Sequence, residues 1–241
     1  MLSRGYSRSA RVYDALSRHK DYATASLTLR QILHRVAPHA TTLLDVACGT
    51  GLHLWHLRDH FCVEGLDLSH EMLEIARQRC PGIPLHNGTL TDFRLDGRFD
   101  VVTCLFGSIG HCVTVGNLER AIHRMADHLR PGGAVIIEPW ITPERFISGR
   151  LVCDSVNDPD LRVVRMYVTM CEERVSVFES DYLVGDRNGV SHFREREELG
   201  LFTDDEYRMA FDKASLDVVE SDRDLFGYGL YVSLARDRNF K

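Results

Sequence analysis

The sequence has 241 residues, 44% of them hydrophobic, and a formal net charge of −6, which is enough chain to bury one α/β core. The acidic balance argues against a nucleic-acid target and against a membrane surface, because both partners usually select a basic patch. Seven cysteines without a CxxC pair do not indicate a disulfide framework. No apolar run could span a membrane or direct secretion, so we expect a cytoplasmic protein. The cysteines are expected to be reduced, and Cys153 is expected in the core.

Apolar runs and amphipathic segments alternate along the chain, which is typical of a mostly parallel sheet covered by helices. One or two N-terminal helices are expected within residues 10–36. Strands are predicted at 43–47, 62–66, 83–86, 100–106, 134–138, 216–221 and 229–235, and helices at 52–60, 69–79, 117–129 and 204–214. The last two strands are expected to pair as an antiparallel hairpin.

Residues 141–203 lie outside this alternation. Their segments 161–170, 174–184 and 189–200 alternate polar and apolar residues and are separated by turn signals. They predict a small antiparallel β-sheet inserted after the fifth strand, and an insertion there is expected to cover the site as a substrate lid. The predicted division is therefore a core of residues 1–140 and 204–241 with residues 141–203 as the lid.

Residues 43–51 combine an apolar strand with a glycine turn that opens into a helix. Ligands of open α/β sheets bind at the carboxyl ends of the strands, and a turn without side chains allows close approach of a nucleotide-like molecule. A dinucleotide-binding turn would have its third glycine at position 54, which is Leu54 here. The segment resembles motif I of the class I S-adenosylmethionine (SAM) methyltransferases, which implies a Rossmann-like α/β fold with seven strands in the sheet.

Asp67 ends the second predicted strand, where a carboxylate can accept hydrogen bonds from both ribose hydroxyls of a nucleoside. The alternative role for Asp67 is to cap the helix that begins near Ser69. Asp45 is expected to serve the site indirectly, by ordering the glycine loop or by meeting the cofactor's ammonium group through water. A purely structural role for Asp45 is the alternative.

Further segments narrow the resemblance. Residues 43–51, 102–111 and 133–140, with the shorter matches at 20–22, 201–203 and 206–207, resemble the bacterial N,N-dimethyltransferases that act on dTDP-amino-deoxysugars such as desosamine and mycaminose. The similarity extends over nearly the whole chain and implies SAM as the cofactor. The resemblance implies a set of cofactor-binding residues, of which the two glycines and two aspartates are also predicted from the motif itself: Tyr13, Tyr22, Asp45, Ala47, Gly49, Gly51, Asp67, Thr89, Leu90 and Leu105.

Two positions depart from that family. The family usually has an acidic residue where Thr89 stands, which leaves the partner of the adenine amino group open. It also tends to have an arginine where this chain has Tyr228, which leaves nucleotide recognition open. For Tyr13 and Tyr22, packing of the N-terminal helix is the alternative to cofactor binding.

His111 is the predicted catalytic base, five residues after the strand at 100–106. An alkylammonium ion has no lone pair with which to attack a methyl group, and a histidine that titrates near neutrality can receive its proton. A hydrogen-bonding role without proton transfer is the alternative. The predicted substrate-binding residues are Tyr6, Glu138, Trp140 and Tyr228.

Two patterns are interpreted as structural. The histidines at 53, 56 and 60 share one helix face, but no carboxylate or cysteine completes a ligand set, so no metal site is expected. The charged run at 194–198 is interpreted as a solvated strand face because its signs alternate.

The sequence thus predicts a SAM-dependent N-methyltransferase of a small-molecule amine, most specifically a nucleotide-linked amino-deoxysugar in the biosynthesis of a secondary metabolite such as an antibiotic. One alternative is an O-methyltransferase of a carboxylate, phenol or phosphonate. A nucleic-acid methyltransferase is disfavoured by the acidic charge, and a SAM-binding regulator without turnover is a further alternative. A homodimer is left open.

Overall fold

The computed structural model describes residues 3–4, 6–222 and 227–236, which form helices and two β-sheets. The helices are α1 (Ala10–Leu16), α2 (Tyr22–Val36), α3 (Leu52–Leu57), α4 (His70–Arg79), α5 (Val115–Asp127) and α6 (Asp204–Lys213), with a 3₁₀ helix at Ser108–Cys112. The strands are β1 (Ser3–Arg4), β2 (Thr42–Val46), β3 (Cys62–Asp67), β4 (Leu85–Asn87), β5 (Phe99–Cys104), β6 (Leu129–Ile137), β7 (Leu151–Asn157), β8 (Arg162–Glu172), β9 (Val175–Asp186), β10 (Gly189–Gly200), β11 (Leu216–Asp222) and β12 (Leu230–Ala235). No helix within these residues is long and apolar enough to cross a membrane.

The larger sheet has seven strands in the order β11-β12-β6-β5-β2-β3-β4. Its neighbours from β6 to β4 pair in parallel, and β12 runs antiparallel to both β6 and β11. The α/β fold class predicted from the sequence is confirmed, including the C-terminal hairpin. After β2 the chain continues to one side of the sheet and then returns to β5 on the other, so a crevice opens where β2 and β5 end.

The second sheet has the order β1-β10-β9-β8-β7 and follows β6, the fifth strand of the larger sheet. Its strands β7 to β10 pair antiparallel, which confirms the predicted insertion. Strand β7 was not predicted, because its side chains alternate between exposed and half-buried and only Val156 is buried. Cys153 on this strand is exposed, so its predicted place in the core is wrong.

The helices begin where side chains replace the missing backbone partners of their first turns. The hydroxyl of Ser69 accepts a hydrogen bond from the Met72 amide and starts α4, as its sequence predicts. Thr203 and Glu206 form a reciprocal capping box at the start of α6. The predicted boundaries elsewhere shift by a few residues; the strand predicted at 134–138 already begins at Leu129.

Helix α1 is fixed to both sheets. The buried carboxylate of Glu195 on β10 accepts hydrogen bonds from the backbone N–H groups of Arg8 and Ser9, at 2.7 and 3.3 Å, at the start of the helix. Toward the larger sheet, Asp14 accepts from the Thr50 hydroxyl at 2.6 Å and pairs with Arg79. The N-terminal segment therefore closes the crevice between the sheets, and β1 extends it by pairing in parallel with β10.

Gly65 tests the packing that holds β3 against its neighbours. A Cβ atom at this position would lie 2.7 Å from Leu54 Cδ1, 2.8 Å from Cys48 Sγ and 2.8 Å from Leu85 Cδ2. We expect Gly65→Ala to lower the free energy of unfolding by about 1–3 kcal/mol, because all three core side chains must move. Denaturant titration measures the change.

Gly116→Ala is the matched control, since a Cβ atom there meets nothing within 4 Å and the residue lies in α5. We expect this variant to be as stable as the wild type or more stable, by up to about 1 kcal/mol. Equal stability of the two variants would contradict the packing described for β3.

Candidate active site

A cavity of about 610 Å³ lies at the carboxyl ends of the central strands, within the size range of small-molecule sites. Loops that follow β2, β3, β4 and β5 form one wall, and the N-terminal segment and β10 form the other. The predicted site residues that line it are Tyr6, Tyr13, Ala47, Gly49, Asp67, Thr89, Leu90 and His111.

The backbone at the ends of β2 and β5 takes an unusual conformation. Ala47 and Phe106, which follow these strands, have φ values of +61° and +51°. Residues other than glycine rarely adopt this backbone conformation, and it recurs at functional sites. Gly49 also has a positive φ, of +56°, and a Cβ atom there would meet no atom within 4 Å. Because Gly49 lines the cavity, its missing side chain leaves room for a ligand close to the backbone.

Asp67 lies on the cavity wall with both carboxylate oxygens oriented by the backbone. Its Oδ2 accepts from the Gly49 N–H at 2.8 Å and its Oδ1 from the Ser69 N–H at 2.8 Å. Burial raises the pKa of Asp67, and the hydrogen bonds from Ser69 and Gly49 partly oppose that rise. Ser69, and not Asp67, caps α4. Each oxygen of Asp67 keeps a lone pair that can accept from a diol.

Asp45 and Gly51 lie behind the cavity wall. Asp45 is 2% exposed and accepts a hydrogen bond from the Thr103 hydroxyl at 2.7 Å, so it joins β2 to β5. Burial raises the pKa of Asp45 to about 7, although the Thr103 hydrogen bond favours its charged form. A Cβ atom on Gly51 would lie 3.2 Å from that of Ala76, so this glycine serves the packing of α3 on α4.

His111 lies on the 3₁₀ helix after β5 and lines the cavity. Its imidazole donates a hydrogen bond to the backbone carbonyl of Glu198, and its ring meets that of Tyr6 edge-on, with centroids 5.9 Å apart. Burial lowers the pKa of His111, against opposing effects of Asp67 and the Glu198 carbonyl. The imidazole is therefore neutral at pH 7 and keeps one nitrogen able to accept a proton.

Three predicted substrate-binding residues do not line the cavity: Glu138, Trp140 and Tyr228. Glu138 is buried, accepts from the Phe106 N–H at 2.6 Å, and burial raises its pKa to about 8. The Trp140 indole N–H donates a hydrogen bond to the Ser176 hydroxyl at 3.0 Å. Its ring packs beside that of Tyr228, with the ring centroids 5.4 Å apart. Trp140 therefore joins the end of β6 to the second sheet, and Glu138 joins the ends of β5 and β6.

Two predicted cofactor-binding residues also lie off the wall. Tyr22 packs edge-on against the rings of His53 and Phe106, with centroids 5.1 Å away in both cases, and its hydroxyl interacts with Tyr13. Leu105 is 5% exposed and belongs to the apolar core beneath the sheet. Both lie next to residues that line the cavity, so they shape it from behind.

The charged run at 194–198 was misinterpreted as a solvated face. Glu195 is fully buried, and Glu197 lines the cavity and accepts a hydrogen bond from the Tyr6 hydroxyl at 3.0 Å. Every second residue of a strand lies on the same face. The apolar Phe193 and Leu199, both buried, share a face with Glu195 and Glu197 and are the sequence signal that these two acids face inward.

The cavity residues fit a nucleoside. Asp67 offers two oriented acceptors for a ribose diol, and Gly49 leaves the approach open. Thr89 and Leu90 lie at the same end, where a planar base would have an apolar contact and a hydroxyl partner. These residues would hold S-adenosylmethionine.

Comparison with known proteins agrees with this fit. Residues 43–133 match the family model of a methyltransferase domain. The chain is 41% identical to dTDP-3-amino-3,6-dideoxy-alpha-D-glucopyranose N,N-dimethyltransferase of Streptomyces fradiae over 229 residues, which cover 93% of this chain and 90% of that protein.

Two solved structures have the same architecture. The crystal structure of Streptomyces venezuelae DesVI is 39% identical, with a TM-score of 0.88 over 94% of this chain and 98% of that chain. SAM-bound CalS10 from Micromonospora echinaspora, an amino pentose methyltransferase involved in calicheamicin biosynthesis, is 35% identical, with a TM-score of 0.83 over 98% of this chain and 100% of that chain. The protein is a SAM-dependent methyltransferase, and it belongs to the family of the dTDP-amino-sugar N,N-dimethyltransferases.

Proposed function

We propose that this enzyme transfers methyl groups from SAM to the amino nitrogen of a dTDP-linked amino-deoxysugar in the biosynthesis of a secondary metabolite such as an antibiotic. The observation that carries the proposal is that Asp67 and His111 line the same cavity. Asp67 is suited to bind a ribose diol, and His111 is suited to accept a proton. The relatives that match most of the chain are named as N,N-dimethyltransferases of such sugars.

The chemistry needs an acceptor with a free lone pair in line with the methyl group. When bound, SAM supplies an electrophilic methyl group on a sulfonium. Asp67 and the backbone at Gly49 hold the nucleoside end, and the neutral imidazole of His111 accepts the proton that the acceptor amine must lose. The remaining acceleration comes from alignment of the two ligands within the cavity.

The second sheet is proposed as the substrate lid, inserted as residues 141–203 between the two parts of the core at 1–140 and 204–241. Strand β10 supports this role, because its residues 196–198 line the cavity opposite the ends of β2 and β5.

We also propose a cytoplasmic location for the protein. All seven cysteines are free thiols, which suits a reducing compartment.

The proposal is tested by incubating the purified protein with SAM and a panel of dTDP-aminosugars, the matching hydroxyl sugars and simple carboxylic acids. We expect a mass gain of about 14 or 28 Da on an aminosugar alone, one methyl group accounting for each step. A gain confined to an acid or a hydroxyl sugar would refute N-methylation and favour the O-methyltransferase alternative.

For the cofactor end, we expect Asp67→Ala to weaken SAM binding by about 1.5–3 kcal/mol, the scale of hydrogen bonds to a charged group. Titration calorimetry measures the affinity, and the thermal midpoint shows whether the loop at Gly49 remains folded. Asp59→Ala is the control, since the Asp59 side chain is 79% exposed and should leave the affinity unchanged. An unaltered affinity in Asp67→Ala would exclude Asp67 from the ribose site.

For the proposed base, we expect His111→Asn to lower turnover by about 10²-fold with SAM affinity retained. Because burial lowers the pKa of His111 below its usual 6.5, the wild-type rate should be constant near pH 7. It should fall only as the pH drops below that lowered pKa and the imidazole becomes protonated. Single-turnover rates from pH 5 to pH 9 should show this acid limb in the wild type and not in the variant; the same limb in both would remove His111 from proton transfer.

A homodimer is also proposed. Exposed apolar side chains share one face of the second sheet: Leu151, Val164, Met166, Val168 and Leu183. Contiguous apolar patches mark interaction surfaces, and twofold homodimers are the commonest assembly. Light scattering should give twice the chain mass of 27.5 kDa for the wild type and one chain mass for Met166→Glu; a monomeric wild type would refute the dimer.

A further inference from the structure

Glu197 lies on the inward face of β10, within the wall of the cavity. The neighbours two residues away on the strand, Glu195 and Leu199, are both buried, as expected for side chains on the same face. Arg196 also lines the cavity, but its guanidinium pairs with Glu172, Glu179 and Glu198. The charge of Arg196 is therefore already balanced by carboxylates other than that of Glu197.

The protein supplies no ion-pair partner to Glu197 among the residues that the structure describes. Of the two cations that favour its charge, Arg165 forms its ion pair with Asp154, at 3.0 and 2.6 Å, and Lys20 lies over the ring of Phe106 at 4.8 Å. Burial raises the pKa of Glu197, and the charge of Glu195 adds to the rise while the Tyr6 hydrogen bond opposes it. A cation brought by a ligand would complete the electrostatic environment of this carboxylate.

Tyr6 connects Glu197 to the proposed base. Its hydroxyl donates to Glu197 Oε2 at 3.0 Å, and its ring meets the His111 ring edge-on at 5.9 Å. All three residues line the cavity. Tyr6 therefore links Glu197 on one wall to His111 on the facing wall, and a ligand nitrogen placed to give its proton to His111 lies in the cavity that Glu197 also lines.

We propose that Glu197, oriented by the Tyr6 hydroxyl, binds the amino group of the methyl acceptor and selects an amine over a hydroxyl. The inference rests on the proposed function and names the residue that sets its acceptor class. A protonated amine is attracted by the carboxylate, whereas a hydroxyl carries no charge and gains much less from it.

The same carboxylate favours the transfer itself. The nitrogen lone pair, free once one N–H proton has passed to His111, forms the new bond to the methyl carbon. The bond between that carbon and sulfur breaks, and its electron pair goes to sulfur, so one unit of positive charge moves from sulfur to nitrogen. A fixed negative charge beside the nitrogen stabilises this redistribution.

Equilibrium binding in the presence of S-adenosylhomocysteine, where no transfer can occur, tests the inference. The probes are two dTDP-sugars that differ only in an amino or a hydroxyl group at the same carbon. We expect the wild type to bind the amino sugar roughly 10- to 100-fold more tightly, and Glu197→Gln to lose that preference. Glutamine retains an acceptor for the Tyr6 hydroxyl, so affinity for S-adenosylhomocysteine should stay within about twofold.

Two further variants define the result. Glu179→Gln makes the same chemical change on the outward face of the second sheet, where Glu179 pairs with Arg196, and should keep the full preference. Tyr6→Phe removes the hydroxyl that orients Glu197 and should reduce the preference partly, by roughly 3- to 10-fold, on the scale of one hydrogen bond.

Equal binding of both sugars by the wild type, or a preference that survives in Glu197→Gln, would overturn the inference. Methylation is scored separately on the wild type by the gain in mass. Loss of the preference in Glu197→Gln without methylation of any amine by the wild type would support Glu197 as an amine-binding group and refute the proposed function. Methylation of an amine by the wild type, together with an unchanged preference in Glu197→Gln, would support the proposed function and refute the role of Glu197.

Discussion

Five carboxylates, three of them buried and two half-buried on the cavity wall, determine the course of the chain around the cavity. A buried charge must regain the hydrogen bonds that it loses to solvent, and here the donors come from strand ends, loops and the N-terminal segment. The pairs are Asp45 with the Thr103 hydroxyl, Asp67 with the Gly49 and Ser69 amides, Glu138 with the Phe106 amide, Glu195 with the Arg8 and Ser9 amides, and Glu197 with the Tyr6 hydroxyl. The pairs of Glu195 and Glu197 join the N-terminal segment to the second sheet, and the other three fix the loops and strand ends of the larger sheet.

The position of each acid sets the charge that a ligand meets. Behind the wall, burial raises the pKa of Asp45 to about 7 and that of Glu138 to about 8, which reduces the negative charge that each carries near neutrality. Within the described part of the chain, four acids line the cavity itself: Asp67, Glu71, Glu197 and Glu198. Because SAM and a protonated amine are both cations, this arrangement attracts both ligands while limiting the repulsion among the acids themselves.

The sequence predicts the parts of the fold that depend on local pattern. Apolar runs define the parallel strands, and a carboxylate at the end of the second strand is sufficient to place Asp67 at the crevice, because parallel strands end at one edge. Glu197 could not be found in this way, since its partner Tyr6 lies 191 residues away and alternating charges are typical of a solvated strand. Trp140 was expected at the substrate, but a Cβ atom on Gly107 would lie 2.7 Å from its ring. This close packing supports the loop that carries His111.

The N-terminal segment makes the cofactor end and the acceptor end of the cavity interdependent. Its helix α1 is held by Asp14 at the glycine loop and by Glu195 on the second sheet, and its tyrosines at positions 6 and 13 both line the cavity. A displacement of α1 would therefore change the contacts of Tyr13 near the cofactor residues and those of Tyr6 at Glu197 together. A ligand that fixed α1 at one end would also order the other. Cofactor and acceptor would then each change the affinity for the other, and linkage requires the two effects to be equal.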